Sequence, residues 1–200
     1  MPRIAGVILA GGGARRMGGG DKCLSLLGGQ PLLSYVINSM APQVEELILN
    51  ANGEGDRFEQ FGISLVSDSF TCLAGPLAGI LAGMEWLQAH RPGVGLMVSV
   101  PADGPFVPGD LVPRLLAAKE SSRISCARSG GRRHPPIALW DVSLAVDLRR
   151  AMEDEEIRKI DRWTARYPVL HVDWSNEPFD PFFNVNHPED LTRAETMLAL

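Results

Sequence analysis

With 200 residues, the chain has the length of one ordinary domain and enough material to bury a full core. Apolar residues make up 45% and charged residues 22%, which excludes a disordered chain, and a net charge of −5 argues against a general nucleic-acid surface. No segment approaches the roughly 20 apolar residues that span a bilayer. The apolar run Ile4–Leu9 reads as a buried strand, and a glycine-rich stretch follows it. Pro31 then suits the first turn of a helix carrying Leu33, Val36, Ile37 and Met40 at helical spacing. Glu46–Asn50 and Ile63–Val66 are the next strands, Gly79–Ala89 a helix, and Gly95–Val100 a continuous apolar strand of the buried parallel kind. Leu111–Lys119 is helical, and Ile124–Ala127 and Ile137–Trp140 return as strands, with 130–136 between them as a loop over the mouth of a site. Ser143–Arg166 reads as mostly helical, Val169–Val172 as a last short strand, and Glu189–Leu200 as a terminal helix after Pro188.

This alternation predicts an α/β fold of three layers, a mostly parallel sheet with helices on both faces, as a single domain over 1–200. Ile4–Ala10 behind Arg3 imitates a signal peptide, but glycines and arginines follow at once with no cleavage region. Three cysteines, Cys23, Cys72 and Cys126, are odd in number and far apart, which points to reduced thiols in a cytoplasmic protein. The four histidines, His90, His134, His171 and His187, lack metal-ligand spacing, so no structural zinc is expected.

The chemistry concentrates in Leu9-Ala10-Gly11-Gly12-Gly13-Ala14-Arg15-Arg16-Met17-Gly18-Gly19-Gly20-Asp21-Lys22. Glycine lets bare backbone approach a ligand, and the arginines and lysine add fixed positive charge, a combination suited to a polyphosphate. It is not a Walker A loop, because Asp21 and Cys23 flank Lys22, nor a dinucleotide fingerprint, because Arg16 stands where the last glycine belongs. The competing reading is a glycine-rich surface loop. Its place after the first strand, where open α/β sheets bind ligands, favours nucleotide binding.

From Leu9 to Lys22 the chain does match the nucleotidyltransferase signature L-A-G-G-x-x-x-R-M-G-x-x-x-K. In detail it resembles the molybdenum cofactor guanylyltransferase family. Leu49-Asn50-Ala51-Asn52, Gly75-Pro76-Leu77-Ala78-Gly79, Pro101-Ala102-Asp103 and Phe183-Asn184-Val185-Asn186 resemble it in the same order, so the likeness covers nearly the whole chain. It implies a Rossmann-like nucleotidyltransferase fold and transfer of GMP from GTP to the terminal phosphate of molybdenum-molybdopterin, releasing pyrophosphate. It also implies Mg²⁺ as cofactor, and molybdenum-insertion proteins and molybdoenzyme apoproteins as candidate partners, with neither nucleic acid nor membrane involved.

Asp103 ends a buried strand, where a carboxylate faces the ligand crevice and suits Mg²⁺, which takes few carboxylates plus phosphate oxygens. Read without the family, Asp103-Gly104-Pro105 is a turn. Lys22 would set its ammonium against the triphosphate, with Arg16 beside it, unless it is an ordinary solvated lysine. Guanine presents N–H donors and needs acceptors. The resemblance assigns Asn50 and Asp68 to the GTP site with Leu9, Ala10, Gly11, Gly12, Lys22 and Asp103, and the division between base and ribose stays open; Asn52 serves equally as a turn or cap residue. It assigns Asn184 and Asn186 to metal and pterin, with Gly75 and Pro76 opening a helix toward the ligand; the alternative for Asn186 is a cap.

Two positions depart from the family pattern: Gly104, where a small polar residue is usual, and His187, where threonine commonly precedes the proline. No Ser-His-Asp arrangement or activated cysteine is evident, and the reaction needs none, because a phosphate monoester with a second pKa of roughly 6 is already largely ionised at neutral pH. Arg149, Arg150 and the 153–156 acidic run read as solvated faces, and Trp86, Trp140, Trp163 and Trp174 as core or rim, the last two alternatively bordering a pterin groove. A cytidylyltransferase acting on molybdopterin or another phosphorylated small molecule, and a noncatalytic cofactor-binding adaptor, are the competing functions. Intact Lys22 and Asp103 weigh against the adaptor.

Overall fold

The computed structural model describes residues 2–11, 21–70, 75–119 and 122–200, so Cys72 lies outside the described residues. Strand β1 (Ile4–Leu9) comes first, then a small hairpin of β2 (Leu26–Leu27) and β3 (Gln30–Pro31). Helix α1 (Leu32–Met40), β4 (Glu46–Asn50), β5 (Ser64–Val66), α2 (Pro76–His90), β6 (Leu96–Pro101) and α3 (Leu111–Lys119) follow. The chain continues through β7 (Ile124–Ser129), β8 (Arg132–Asp141), α4 (Ala145–Glu153), α5 (Ile160–Thr164), β9 (Val169–Trp174) and α6 (Pro188–Leu198).

The main sheet has seven strands in the order β5-β4-β1-β6-β8-β7-β9. The pairs β5/β4, β4/β1, β1/β6 and β7/β9 are parallel, while β8 runs antiparallel to both of its neighbours. Alternate side chains supply the two faces, as strand geometry requires. Ala5 and Val7 of β1 pack with α2, α4 and α5, whereas Ile4 and Ile8 pack with α1 and α3. These two buried clusters make the three-layer α/β architecture. The terminal helix stands apart, its Ala194 packed with Leu27, Leu32 and Val185. Among the described residues, no helix is long and apolar enough to cross a membrane.

Two sequence expectations need correction. The 130–136 stretch is not a loop: Gly130 and Gly131, at φ 52° and 76°, make a two-residue turn between Ser129 and Arg132, and β8 begins at once. A Gly-Gly turn of this kind matches the twist of the strands it joins. Pro135 and Pro136 are tolerated because the β7/β8 register shifts there, from Cys126 opposite Ala138 to Arg128 opposite Arg133. The Ser143–Arg166 segment is mostly helical, as expected, and is divided between α4 and α5. Trp163 and Trp174 are core residues, as the first of the two sequence readings expected. Trp163 is fully buried, stacks on Trp140 at 5.8 Å and donates to Asp147 at 2.8 Å, while Trp174 donates to Asp110 at 3.0 Å. The second is Arg149, which is not simply solvated, since its guanidinium donates to Glu85 at 2.6 and 2.7 Å and ties α4 to α2.

Candidate active site

Strands β1 and β6 lie side by side in register, Leu9 opposite Pro101, so the segments leaving them emerge together. The Leu9 carbonyl accepts from the Ala102 amide at 3.0 Å, which fixes the turn that carries Asp103. Lys22 begins the short helical turn 22–24 and reaches the same point from the other side. Its ammonium forms an ion pair with Asp103 Oδ2 and donates to Asn186 Oδ1 at 2.8 Å. Three segments far apart in sequence therefore converge on one cation. Leu9, Ala10, Cys23 and Ala102 complete the lining of the cleft around this pair.

The other oxygen of Asp103 is distinctive. Oδ1 is buried and has no hydrogen-bond partner among the described residues. A buried carboxylate oxygen left this way is costly unless something else binds it. Behind it, the Asp103 carbonyl accepts from the Val185 amide at 2.9 Å, holding the Asn184–Asn186 segment against the turn. Gly104 permits that approach: a Cβ there would stand 3.1 Å from Asn184 Oδ1. The absence of a side chain at this position thus gives room to Asn184.

On the β4 side, Asn50 is buried and donates through Nδ2 to the Val66 carbonyl at 3.1 Å and to Asp68 Oδ1 at 2.8 Å. Asn52 bonds the same aspartate twice, donating to Oδ2 at 2.7 Å and accepting from its amide at 2.9 Å. The Ala10 amide donates to the Asn50 carbonyl at 2.8 Å, so this cluster abuts the start of the glycine-rich segment. Its far end is held by Arg57, which pairs with Asp21 and donates to the Asn52 carbonyl at 2.7 Å. Nothing in the sequence pattern marked Arg57. Gly12 and Arg16 lie outside the described residues.

Asn186 is not the helix cap. The N-cap of α6 is His187, and the Asp190 carboxylate accepts from the amides of Asn186 and His187 at 2.9 and 3.0 Å. Those two bonds hold the Asp190 carboxyl below its ordinary value and leave the Asn186 side chain for Lys22. Gly75 and Pro76 open α2, and the nearest contact of a Cβ at Gly75 would be the Arg158 carbonyl, 3.8 Å away. No described contact joins Gly75 or Pro76 to the Lys22–Asp103–Asn186 cluster.

Cys23 borders the cleft, but burial, reinforced by Asp21, pushes its thiol up to about 12, which removes it as a nucleophile. A Ser-His-Asp grouping, not anticipated from sequence, does exist. Ser129 Oγ lies 2.7 Å from both His134 Nε2 and Asp180 Oδ1. The serine is buried and sits in the middle of the chain rather than at its end, so it is not an activated nucleophile. Here 51 residues separate Ser129 from Asp180, and no sequence spacing advertises the contact. His134 and Asp180 line an open polar cavity of about 400 Å³ together with Phe182, Asn184, Asn186 and Asp190. That volume suits a small-molecule ligand beside the cleft.

Comparison with known proteins places this geometry in a family. Residues 6–169 match the MobA-like NTP transferase domain. The molybdenum cofactor guanylyltransferase of Rhodopseudomonas palustris (strain BisB5) is 53% identical over 97% of this chain and 93% of its own length. That of Bradyrhizobium sp. (strain ORS 278) is 52% identical, over 98% and 94%. Among solved structures, molybdopterin-guanine dinucleotide biosynthesis protein A from Archaeoglobus fulgidus superposes with a TM-score of 0.75 at 26% identity, covering 98% of each chain.

Proposed function

The chain belongs to the MobA-like NTP transferase family and, within it, to the molybdenum cofactor guanylyltransferases, and on that premise we propose that it transfers GMP from GTP to the terminal phosphate of molybdenum-molybdopterin. The observation that carries the reading is the meeting of Lys22, Asp103 and Asn186 at the carboxyl edge of β1 and β6. A phosphate oxygen of the acceptor attacks the α-phosphorus of GTP, the bond to the bridging oxygen breaks, and pyrophosphate leaves with that electron pair. No protein nucleophile is required.

Lys22, with Arg16, stabilises the negative charge gathering on the phosphates. Asn50 and Asp68, with the backbone of Leu9, Ala10, Gly11 and Gly12, hold the nucleoside, and Asn184 and Asn186 face the acceptor. Positioning two anions for in-line displacement supplies much of the catalysis. The Oδ1 of Asp103, without a partner among the described residues, fits a hard divalent cation, and Asp103 would hold Mg²⁺, which when bound neutralises phosphate charge. The whole chain acts as one domain, in the cytoplasm, and hands its product on to molybdoenzyme apoproteins directly or through molybdenum-insertion proteins.

The test is turnover of GTP, Mg²⁺ and molybdenum-molybdopterin, read as the guanine dinucleotide product and pyrophosphate. Asp103→Ala should abolish it, and near-normal turnover by that variant in Mg²⁺ would overturn the assignment. Preference for CTP over GTP in the same assay, or in thermal shift, would make the protein a cytidylyltransferase.

A further inference from the structure

The cavity beside the cleft contains a histidine whose tautomer is fixed by its neighbours. Ser129 has one hydroxyl proton, and Asp180 Oδ1, which also accepts from the Phe182 amide at 2.9 Å, can only receive it. The 2.7 Å contact between Ser129 Oγ and His134 Nε2 is then a bond in which Nε2–H donates. Burial lowers the pKa of His134, with Asp180 opposing and Arg132 reinforcing, so the ring is neutral near pH 7. A neutral ring protonated at Nε2 carries a lone pair at Nδ1. None of the described residues donates to that atom. The ring packs against Phe182 at 4.9 Å and lines the same cavity as Asn184 and Asn186.

We propose that His134 determines acceptor specificity, its Nδ1 accepting a hydrogen bond from the exocyclic amine of the acceptor's pterin, with Ser129 and Asp180 as positioning residues that fix the tautomer. This rests on the guanylyltransferase reading for the identity of the acceptor. A pterin suits the site because its amine is a donor on a flat ring, and the cavity is lined by the His134 ring and by Phe182 packed against it. The nucleotide half is remote from it. Asn50 and Asp68 belong to the β4/β5 side of the sheet, and β1 and β6 separate them from β8. Loss of the His134 contact should therefore weaken acceptor binding and leave GTP binding alone.

Two variants separate recognition from support. In His134→Gln the amide nitrogen can replace Nε2–H toward Ser129, but nothing replaces Nδ1. In His134→Asn the amide oxygen can replace Nδ1. His134→Gln should raise the acceptor KM about tenfold or more with the GTP KM unchanged, and His134→Asn should recover much of the loss. A His134→Gln enzyme with an unchanged acceptor KM overturns the proposal, as does one in which both KM values and the melting temperature shift together.

The unaltered protein gives a second test that no folding defect can cloud. Neopterin monophosphate, a fluorescent pterin with a phosphomonoester, should bind about tenfold or more tighter than its counterpart in which oxygen replaces the 2-amino group. Equal affinities overturn the proposal. So does absence of neopterin monophosphate binding by protein that GTP still stabilises. The guanylyltransferase reading fails separately, by absence of the guanine dinucleotide in its own assay.

Discussion

Gly79 on α2 lies directly beneath the side chain of Asn50: a Cβ at Gly79 would collide with Asn50 Oδ1 and come 2.8 Å from Leu9 Cδ2. Asn50 cannot retreat, because its amide is already bonded to Val66 and Asp68. Gly79→Ala would gain about 1 kcal/mol of helix propensity, yet the overpacking should cost about 1–3 kcal/mol and displace Asn50. We expect a lower melting temperature and a weaker thermal shift by GTP. A variant that melts and binds GTP like the parent would show that the contact yields without consequence.

Lys22 is the cation shared by Asp103 and Asn186. Lys22→Ala should lower the rate by a factor on the order of 10²–10³, the range seen when an electrostatic stabiliser is removed. Steady-state turnover at saturating GTP and Mg²⁺ measures it. A loss smaller than about threefold would make Lys22 an ordinary surface lysine rather than a participant.

Cys23 and Cys126 are buried, and burial is the leading cause that pushes their thiols up to about 12 and about 11. In native protein at pH 8, both should resist iodoacetamide and become alkylated only in denaturant, as peptide mass mapping will register. The sign for stability follows. The folded chain keeps these protons to higher pH than the unfolded chain, so the contribution is complete below the ordinary thiol value and declines above it. Urea midpoints should therefore fall as pH rises beyond that value, and less so in Cys23→Ala.

Asp190 presents the opposite sign. Amides of Asn186 and His187 hold its folded pKa down, so its contribution is present above the ordinary aspartate value and lost as pH falls through the depressed one. Asp190→Ala should cost about 1 kcal/mol, the usual scale for a lost cap. It should also release the Asn186 backbone and raise the acceptor KM, while the GTP KM stays where it was. Movement of both constants together would place the effect in the fold as a whole.

The residues of the proposed nucleotide half could be picked out from the sequence because they follow parallel strands, where α/β sheets bind ligands, and the spacing from Leu9 to Lys22 is itself diagnostic. The carboxyl edge could be read from strand order alone. Asp103 and Lys22 meet because β1 and β6 are adjacent, which two continuous apolar runs already suggest. The Ser129–His134–Asp180 grouping was not legible. Pro135 and Pro136 argue against a strand, and only the register shift in the β7/β8 pair makes room for them. Ser129, His134 and Asp180 touch only once that hairpin and the segment after β9 have folded. Arg57 was missed because an arginine in a short polar turn has no distinguishing pattern.

Strand β8 travels against its neighbours, so its first residues, rather than its last, reach the ligand edge. On the proposed assignment, the two substrates would be served by separately editable parts of the chain. Lengthening the turn at Gly130–Gly131 would reshape the proposed acceptor cavity, while the Leu9–Ala102 and Lys22–Asp103 links would keep their places. A scaffold divided in this way can change the molecule it modifies and keep the nucleotide it consumes.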